Sequence, residues 1–343
     1  VMGGLGDRFG RRPVILFSMF AFGIDYMVMG FAPTLSWLFV SRALAGIAGA
    51  IFVPASAYIS DITPPERRAS SFGLVGAMFG LGFVLGPGLG GLLGHFGHRA
   101  PFFAAAILAL LNCAAGIFLL PESLPRERRR AFSIARANPF GTFASIGKHR
   151  GVLVLFAAWF AWMLAHQCYP ATWAFFTKLK FGWSEGAIGA SLSYVGLVMA
   201  CAQAFITRRL IPAVGERRAI QIGLVSGMAG FFGNAIVPQG WMIYPVMTLA
   251  GMQGLVYPSM NSTLSRTVAA DQQGELQGGV SSLMSLSAII GPPIMTHALA
   301  FFSRPGGDIQ FPGAAFFLAG SLSALAFGIV WFGSRAVFPR RAG

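Results

Sequence analysis

Ten separate windows of about 20 residues, each dominated by apolar side chains, restrict this chain's fold more than any other property. They cover residues 13–32, 36–60, 70–93, 100–120, 152–176, 187–210, 219–237, 241–264, 277–302 and 312–334. A window of that length crosses the hydrocarbon core as a helix, because lipid leaves each backbone N–H and C=O to be satisfied within the segment. A soluble core holding all ten fails on composition. Hydrophobic residues make up 55% of the chain, charged residues 10%, and mean hydropathy is +0.67, which leaves too little polar sequence to coat such a core. The expected fold class is all-α integral membrane.

The net charge of +14 suggests an anionic partner, but its distribution points to topology. With Val1 placed in the cytoplasm, 20 of the 25 Lys and Arg residues fall on one side, and only Arg99, Lys178, Lys180 and Arg304 fall on the other. That asymmetry sets orientation in membrane proteins, with both chain ends cytoplasmic here. The basic run Arg126–Arg130 then reads as a topology determinant and solvated linker, and no nucleic-acid partner is expected. Cys113, Cys168 and Cys201 all lie in apolar windows without paired or metal-ligand spacing, and read as small apolar residues. The lipid bilayer is the expected partner surface.

Asp25 stands at the centre of the first window. An ionised Asp there costs about 2.5–3.5 kcal/mol to insert, so an acid at that depth marks a candidate site. Arg42 also falls within a window; it either serves the same chemistry or snorkels to the nearby membrane surface. In the window around Pro170, His166, Tyr169 and Trp173 are spaced to share one helix face. His166 is a candidate proton-handling group there, or else a satisfied interior histidine or one near the outer headgroups.

A shift of 205 residues superimposes parts of the sequence on itself. Gly10-Arg11-Arg12 falls on Gly215-Glu216-Arg217, Gly73 on Gly278, and Gly86-Pro87 on Gly291-Pro292. Windows 152–176 and 187–210 have no mates in the first half, so two further helices are expected upstream of Val1. The resulting organisation is an N-terminal bundle at 1–120 (helices 3–6 of a complete set), a cytoplasmic linker at 121–151, and a C-terminal bundle at 152–343 (helices 7–12). Two parallel six-helix repeats joined by a linker suit a secondary transporter.

Three motifs narrow this reading. The loop Gly3-Gly-Leu5-Gly-Asp7-Arg8-Phe-Gly10-Arg11-Arg12 resembles the loop signature of the major facilitator superfamily. The resemblance implies a conformational latch built from Asp7, Arg8, Gly10, Arg11 and Arg12, with Asp61 as the acid at the end of the fourth helix. Arg42 and Gly46 resemble the fourth-helix motif of proton-coupled members. Gly73, Gly82, Gly86, Pro87, Gly90 and Gly91 resemble the fifth-helix signature of drug–proton antiporters. Gly82, Gly86 and Gly90 share a face on which a neighbouring backbone can approach closely, and Pro87 bends the helix.

Within that group the wider sequence resembles tetracycline efflux proteins, in Asp25-Tyr26, Ala57-Tyr58-Ile-Ser-Asp61-Ile-Thr63, Ala100-Pro101-Phe102-Phe103-Ala104, Leu120-Pro121-Glu122-Ser123 and Gly274-Glu-Leu276-Gln277-Gly278. The resemblance implies a required acid at Asp25 and a place for Gln203 on the transport path. Two polar family residues, a His and an Asp, fall on Met199 and Gly227 here, which separates the antiporter scaffold from the choice of substrate.

The expected function is proton-coupled export of an amphipathic, tetracycline-like drug across the bacterial inner membrane by alternating access. The partners are the small-molecule drug and protons, the driving force is the proton gradient with no cofactor and no metal, and the working unit is a monomer. An exporter of a sugar, siderophore or other metabolite is the alternative. A membrane enzyme would need an acid cluster or a His/Cys constellation near the membrane surface, which the sequence lacks, so no enzymatic activity is expected.

Overall fold

A computed structural model describes residues 2–48, 51–64, 67–129, 150–267, 273–304, 306 and 310–333. Every regular element among them is helical. The chain divides into two compact units, residues 1–138 and 139–343. Most of the linker expected at 121–151 lies outside the described residues.

The first unit contains α1 (Met2–Phe9), α2 (Arg11–Phe31), α3 (Leu35–Ala48), α4 (Phe52–Ile62), α5 (Arg68–Gly94) and α6 (Ala100–Leu119). Its central contact is α2 against α6. Gly23 and Gly30 create that contact, because a Cβ built on either would stand 2.5 Å from Leu110 or 2.7 Å from Phe103. The missing side chains let the two helices approach closely where lipid provides no hydrophobic drive.

The second unit contains α7 (Arg150–His166), α8 (Cys168–Phe181), α9 (Glu185–Cys201), α10 (Arg208–Val214), α11 (Glu216–Ile236), α12 (Ile243–Ala250), α13 (Val256–Thr267), α14 (Gln273–Phe302) and α15 (Ala314–Phe332). Helix α15 packs on both α11 and α7. One apolar cluster gathers Leu155, Trp159, Ile220, Leu224 and Met260, and a second gathers Phe176, Phe231, Met295 and Phe316.

Among the described residues, seven helical segments are long and apolar enough to cross a membrane: 11–31, 100–119, 151–181, 185–214, 216–236, 276–302 and 314–332. Two of the other windows are built from pieces. Window 36–60 is divided between α3 and α4. Window 241–264 runs as α12, a 3-10 stretch at Gly251–Leu255, and α13. Window 70–93 lies in the single helix α5. Span 151–181 breaks at Gln167, because Pro170 has no N–H for the His166 carbonyl one turn back.

The internal repeat extends to backbone conformation. Gly10 (φ 107°, ψ 156°) and Gly215 (φ 80°, ψ 158°) each precede a helix of 21 residues, α2 and α11. These angles lie in a region essentially reserved for glycine. The close approach expected at Gly82, Gly86 and Gly90 is not made among the described residues, since a Cβ built on any of the three meets no atom within 4 Å. Pro87 lies inside α5 as expected and Gly91 is buried; Gly73 lies in the same helix.

Candidate functional site

The side chain of Asp25 is buried in α2, with the residue 4% exposed. Ser41 and Arg42, successive residues of α3, both reach it. The Ser41 hydroxyl donates to one carboxylate oxygen and the Arg42 guanidinium to the other. Arg42 also contacts the Met29 sulfur at 2.9 Å, while its side chain remains 55% exposed. Arg42 therefore reaches inward to the buried acid from a half-open position. Asp25 therefore has a charged partner and a neutral donor, which lowers the penalty of burying a carboxylate. A bare Ser in an apolar helix gives no such signal, so Ser41 was not legible in the sequence.

The loop before α2 holds a second polar group. Arg11 pairs with Asp7 at 2.7 Å and with Asp61, from the end of α4, at 3.4 Å. Ser123 donates to the same Asp61 oxygen at 3.1 Å. Glu122 accepts from the Arg11 backbone N–H at 2.9 Å, so an acid from the segment after α6 caps the start of α2. Gly10 suits this place twice, through its positive φ and because any Cβ there would strike the Glu122 carboxylate. Arg12 donates to the Ile117 carbonyl at 2.6 Å. Of the residues named for the latch, Arg8 stands apart; it is exposed, with its guanidinium over the Phe9 ring.

The second unit repeats the arrangement with the signs exchanged. Glu216, the mate of Arg11, pairs at 3.2 Å with Arg266, the mate of Asp61. Ser262 and Thr263 also donate to Glu216, at 2.5 and 3.3 Å. The sequence repeat contained this pair, but the reversed charges hid it.

His166, Tyr169 and Trp173 do come together, in a packed aromatic row. Ring centroids are 6.4 Å apart for His166–Tyr169 and 5.9 Å for Tyr169–Trp173, with Phe231 and Phe316 alongside. The indole N–H of Trp173 donates to buried Ser191 at 3.0 Å. Gln203 lies in a π-helical stretch, Ala202–Thr207, and donates to the Gly254 carbonyl at 3.3 Å. Pro258 has no N–H to offer that carbonyl, so Gln203 supplies the missing donor. A Cβ built on Gly227 would stand 3.5 Å from both Gln253 Oε1 and Ser323 Oγ.

Comparison with known proteins agrees with this architecture. The family description Major Facilitator Superfamily matches residues 1–292. The chain is 42% identical over 323 residues to the class C tetracycline resistance protein of Escherichia coli, covering 93% of this chain and 80% of that protein. It is 32% identical to the class B protein of the same organism, covering 95% and 81%. Among solved structures, a nucleoside transporter shares the fold with a TM-score of 0.78 at 14% identity, covering 98% of this chain and 87% of that one. The chain belongs to the Major Facilitator Superfamily, as a multi-pass membrane transporter rather than an enzyme, and resembles that family's tetracycline resistance proteins.

Proposed function

We propose that this protein exports a tetracycline-like, amphipathic drug across the bacterial inner membrane in exchange for protons, by alternating access. The observation that carries the reading is Asp25, buried in a spanning helix and held by Ser41 and Arg42. A proton on Asp25 removes its charge and frees Arg42, so the centre reorients without carrying a carboxylate through hydrocarbon. Drug binding on the loaded state favours release of the proton. A proton moving down 100 mV yields about 2.3 kcal/mol, enough for roughly forty-fold accumulation per proton.

Asp7, Arg11 and Asp61 latch the cytoplasmic face, and Glu122 joins them at the start of α2. Gln203 and His166 contribute from the second unit. The tetracycline resistance relatives support the drug class. Met199 and Gly227 depart from family polar residues and favour a substrate range of the chain's own, with metabolite export as the second reading.

Drug uptake into inverted vesicles under an imposed proton gradient tests the proposal. Wild-type vesicles accumulate tetracycline, and Asp25→Asn abolishes accumulation while the protein stays folded. Accumulation at the wild-type rate by Asp25→Asn would overturn the assignment.

A further inference from the structure

The turn from α10 to α11 carries two arginine pairs that the fold does not use. Arg208 and Arg209 open α10, and Arg217 and Arg218 stand in the first turn of α11, just after Gly215. At 1.5 Å per residue, each pair lies within about 10 Å of that glycine along its helix. All four residues are exposed, and among the described residues none of their side chains has a hydrogen bond or an ion pair. Glu216, the acid between the pairs, is held by Arg266, Ser262 and Thr263.

The matching turn of the first unit is built differently. The mates of Arg208, Arg209 and Arg218 are Gly3, Gly4 and Pro13. The mate of Arg217 is Arg12, which donates to the Ile117 carbonyl, and Arg11 beside it pairs with Asp7 and Asp61. Both copies share the backbone geometry of the turn, so folding does not call for the four free cations of the second copy. Membrane orientation accounts for their sign. Their place in the structure points to a ligand.

The surface beside them is apolar. Phe205, about one turn before Arg208 and Arg209, is 63% exposed. On α11, Val225 lies two turns beyond Arg218 on the same face and is 46% exposed. The two helices are in contact, and both belong to segments long and apolar enough to cross a membrane. Guanidinium groups thus edge an exposed apolar surface on two neighbouring helices. A phospholipid has the complementary form, with a charged phosphate at one end and hydrocarbon behind it. Arginine binds phosphate oxygens through paired hydrogen bonds, and basic clusters at the ends of spanning helices collect anionic headgroups.

We propose that Arg208, Arg209, Arg217 and Arg218 form a binding site for an anionic phospholipid. Its phosphodiester sits on the guanidinium groups, and its acyl chains lie along Phe205 and Val225. The site is independent of which molecule the protein carries.

Native mass spectrometry of the full chain in neutral detergent tests the site, with phosphatidylglycerol, phosphatidylethanolamine and inorganic phosphate as probes. Wild-type protein binds phosphatidylglycerol roughly twentyfold more tightly than phosphatidylethanolamine. Arg208→Gln/Arg209→Gln and Arg217→Gln/Arg218→Gln each weaken phosphatidylglycerol binding by about tenfold, and the quadruple variant binds the two lipids alike. Arg208→Lys/Arg209→Lys keeps most of the affinity, and Arg304→Gln, expected on the opposite side of the membrane, keeps all of it. Without lipid the glutamine variants unfold at the wild-type midpoint. Inorganic phosphate leaves the lipid in place, because the acyl chains hold it as well.

Equal wild-type binding of the two lipids overturns the proposal, as does phosphatidylglycerol binding that both double variants retain. A lowered midpoint in the lipid-free variants would make the arginines structural and overturn it too. Displacement of the lipid by inorganic phosphate would make the patch a soluble-anion site and overturn the lipid assignment.

Discussion

Helices α2 and α11 start from glycines of nearly the same conformation and run for 21 residues each, yet their interiors carry different chemistry. Both are fastened at the start by an ion pair between repeat-related positions, Arg11–Asp61 in one and Glu216–Arg266 in the other. Halfway along, α2 buries Asp25 with a cation, whereas its mate at 230 is a glycine. Around that glycine the second unit has amides, hydroxyls and aromatic rings. The repeat thus keeps backbone geometry and the place of the fastening pair, while charge signs and interior chemistry have diverged. Geometry is the shared inheritance, and only one of the two copies buries a carboxylate at that depth.

The most severe way to break the comparison is to give α11 the acid that α2 carries. A Cβ at Gly230 would stand 2.5 Å from Ala250 and 4.0 Å from the Tyr169 hydroxyl, and among the described residues no cation is its near neighbour as Arg42 is that of Asp25. Gly230→Asp is expected to destabilise the protein by roughly 3–5 kcal/mol, read as a lower unfolding midpoint in detergent. A stable Gly230→Asp would mean that the two interiors are interchangeable.

The two starting glycines are next. Gly215→Ala introduces backbone strain of about 1–3 kcal/mol, with nothing within 4 Å of the new Cβ. Gly10→Ala carries the same strain, collides with Glu122, and loses the cap on the Arg11 N–H. It is expected to exceed Gly215→Ala by about 1 kcal/mol or more. Paired thermal scans decide it, and equal losses would remove Glu122 from the account.

The smallest effect sharpens the comparison most. Exchanging Glu216 and Arg266 leaves an ion pair whose other neighbours, Ser262 and Thr263, are hydroxyls that serve either sign. Exchanging Arg11 and Asp61 instead places a new acid beside Asp7 and Glu122. The double variant Glu216→Arg/Arg266→Glu should recover most of the loss seen in its single variants. Arg11→Asp/Asp61→Arg should not. Coupling energies of about 0.5–1 kcal/mol are expected from double-mutant cycles.

Much of this architecture was legible in residue order. Helix-length apolar windows and Asp25 are local patterns, the 205-residue repeat is a fixed offset, and Asp61 was joined to Asp7 and Arg11 through the resemblance to the superfamily's loop signature. The interruptions were harder to read. Window 241–264 carries Gln253 and several hydroxyl residues among its apolar ones, and its break at Gly251–Leu255 becomes legible only when Pro258 is taken to free a carbonyl that Gln203 then serves. Tertiary pairings across large sequence separations were invisible. Ser41 and Glu122 have no periodicity or motif that announces a partner 16 or 111 residues away. The glycines of α5 illustrate the converse: their spacing promised close packing, but spacing does not name the neighbour that must approach.

Ser41 has a consequence that follows from the symmetry of a hydroxyl. Arg42 can only donate, and once Asp25 takes up a proton it loses the opposite charge that holds it and is left with a weaker, neutral carbonyl acceptor. A hydroxyl can turn. It donates to the carboxylate now, and it accepts from the carboxylic acid once a proton has arrived, without either oxygen moving. One partner of Asp25 is therefore a detector that lets go, and the other is a fixed pivot that keeps hold. Reading the acid's charge is left to Arg42, while Ser41 keeps the group aimed through the whole cycle.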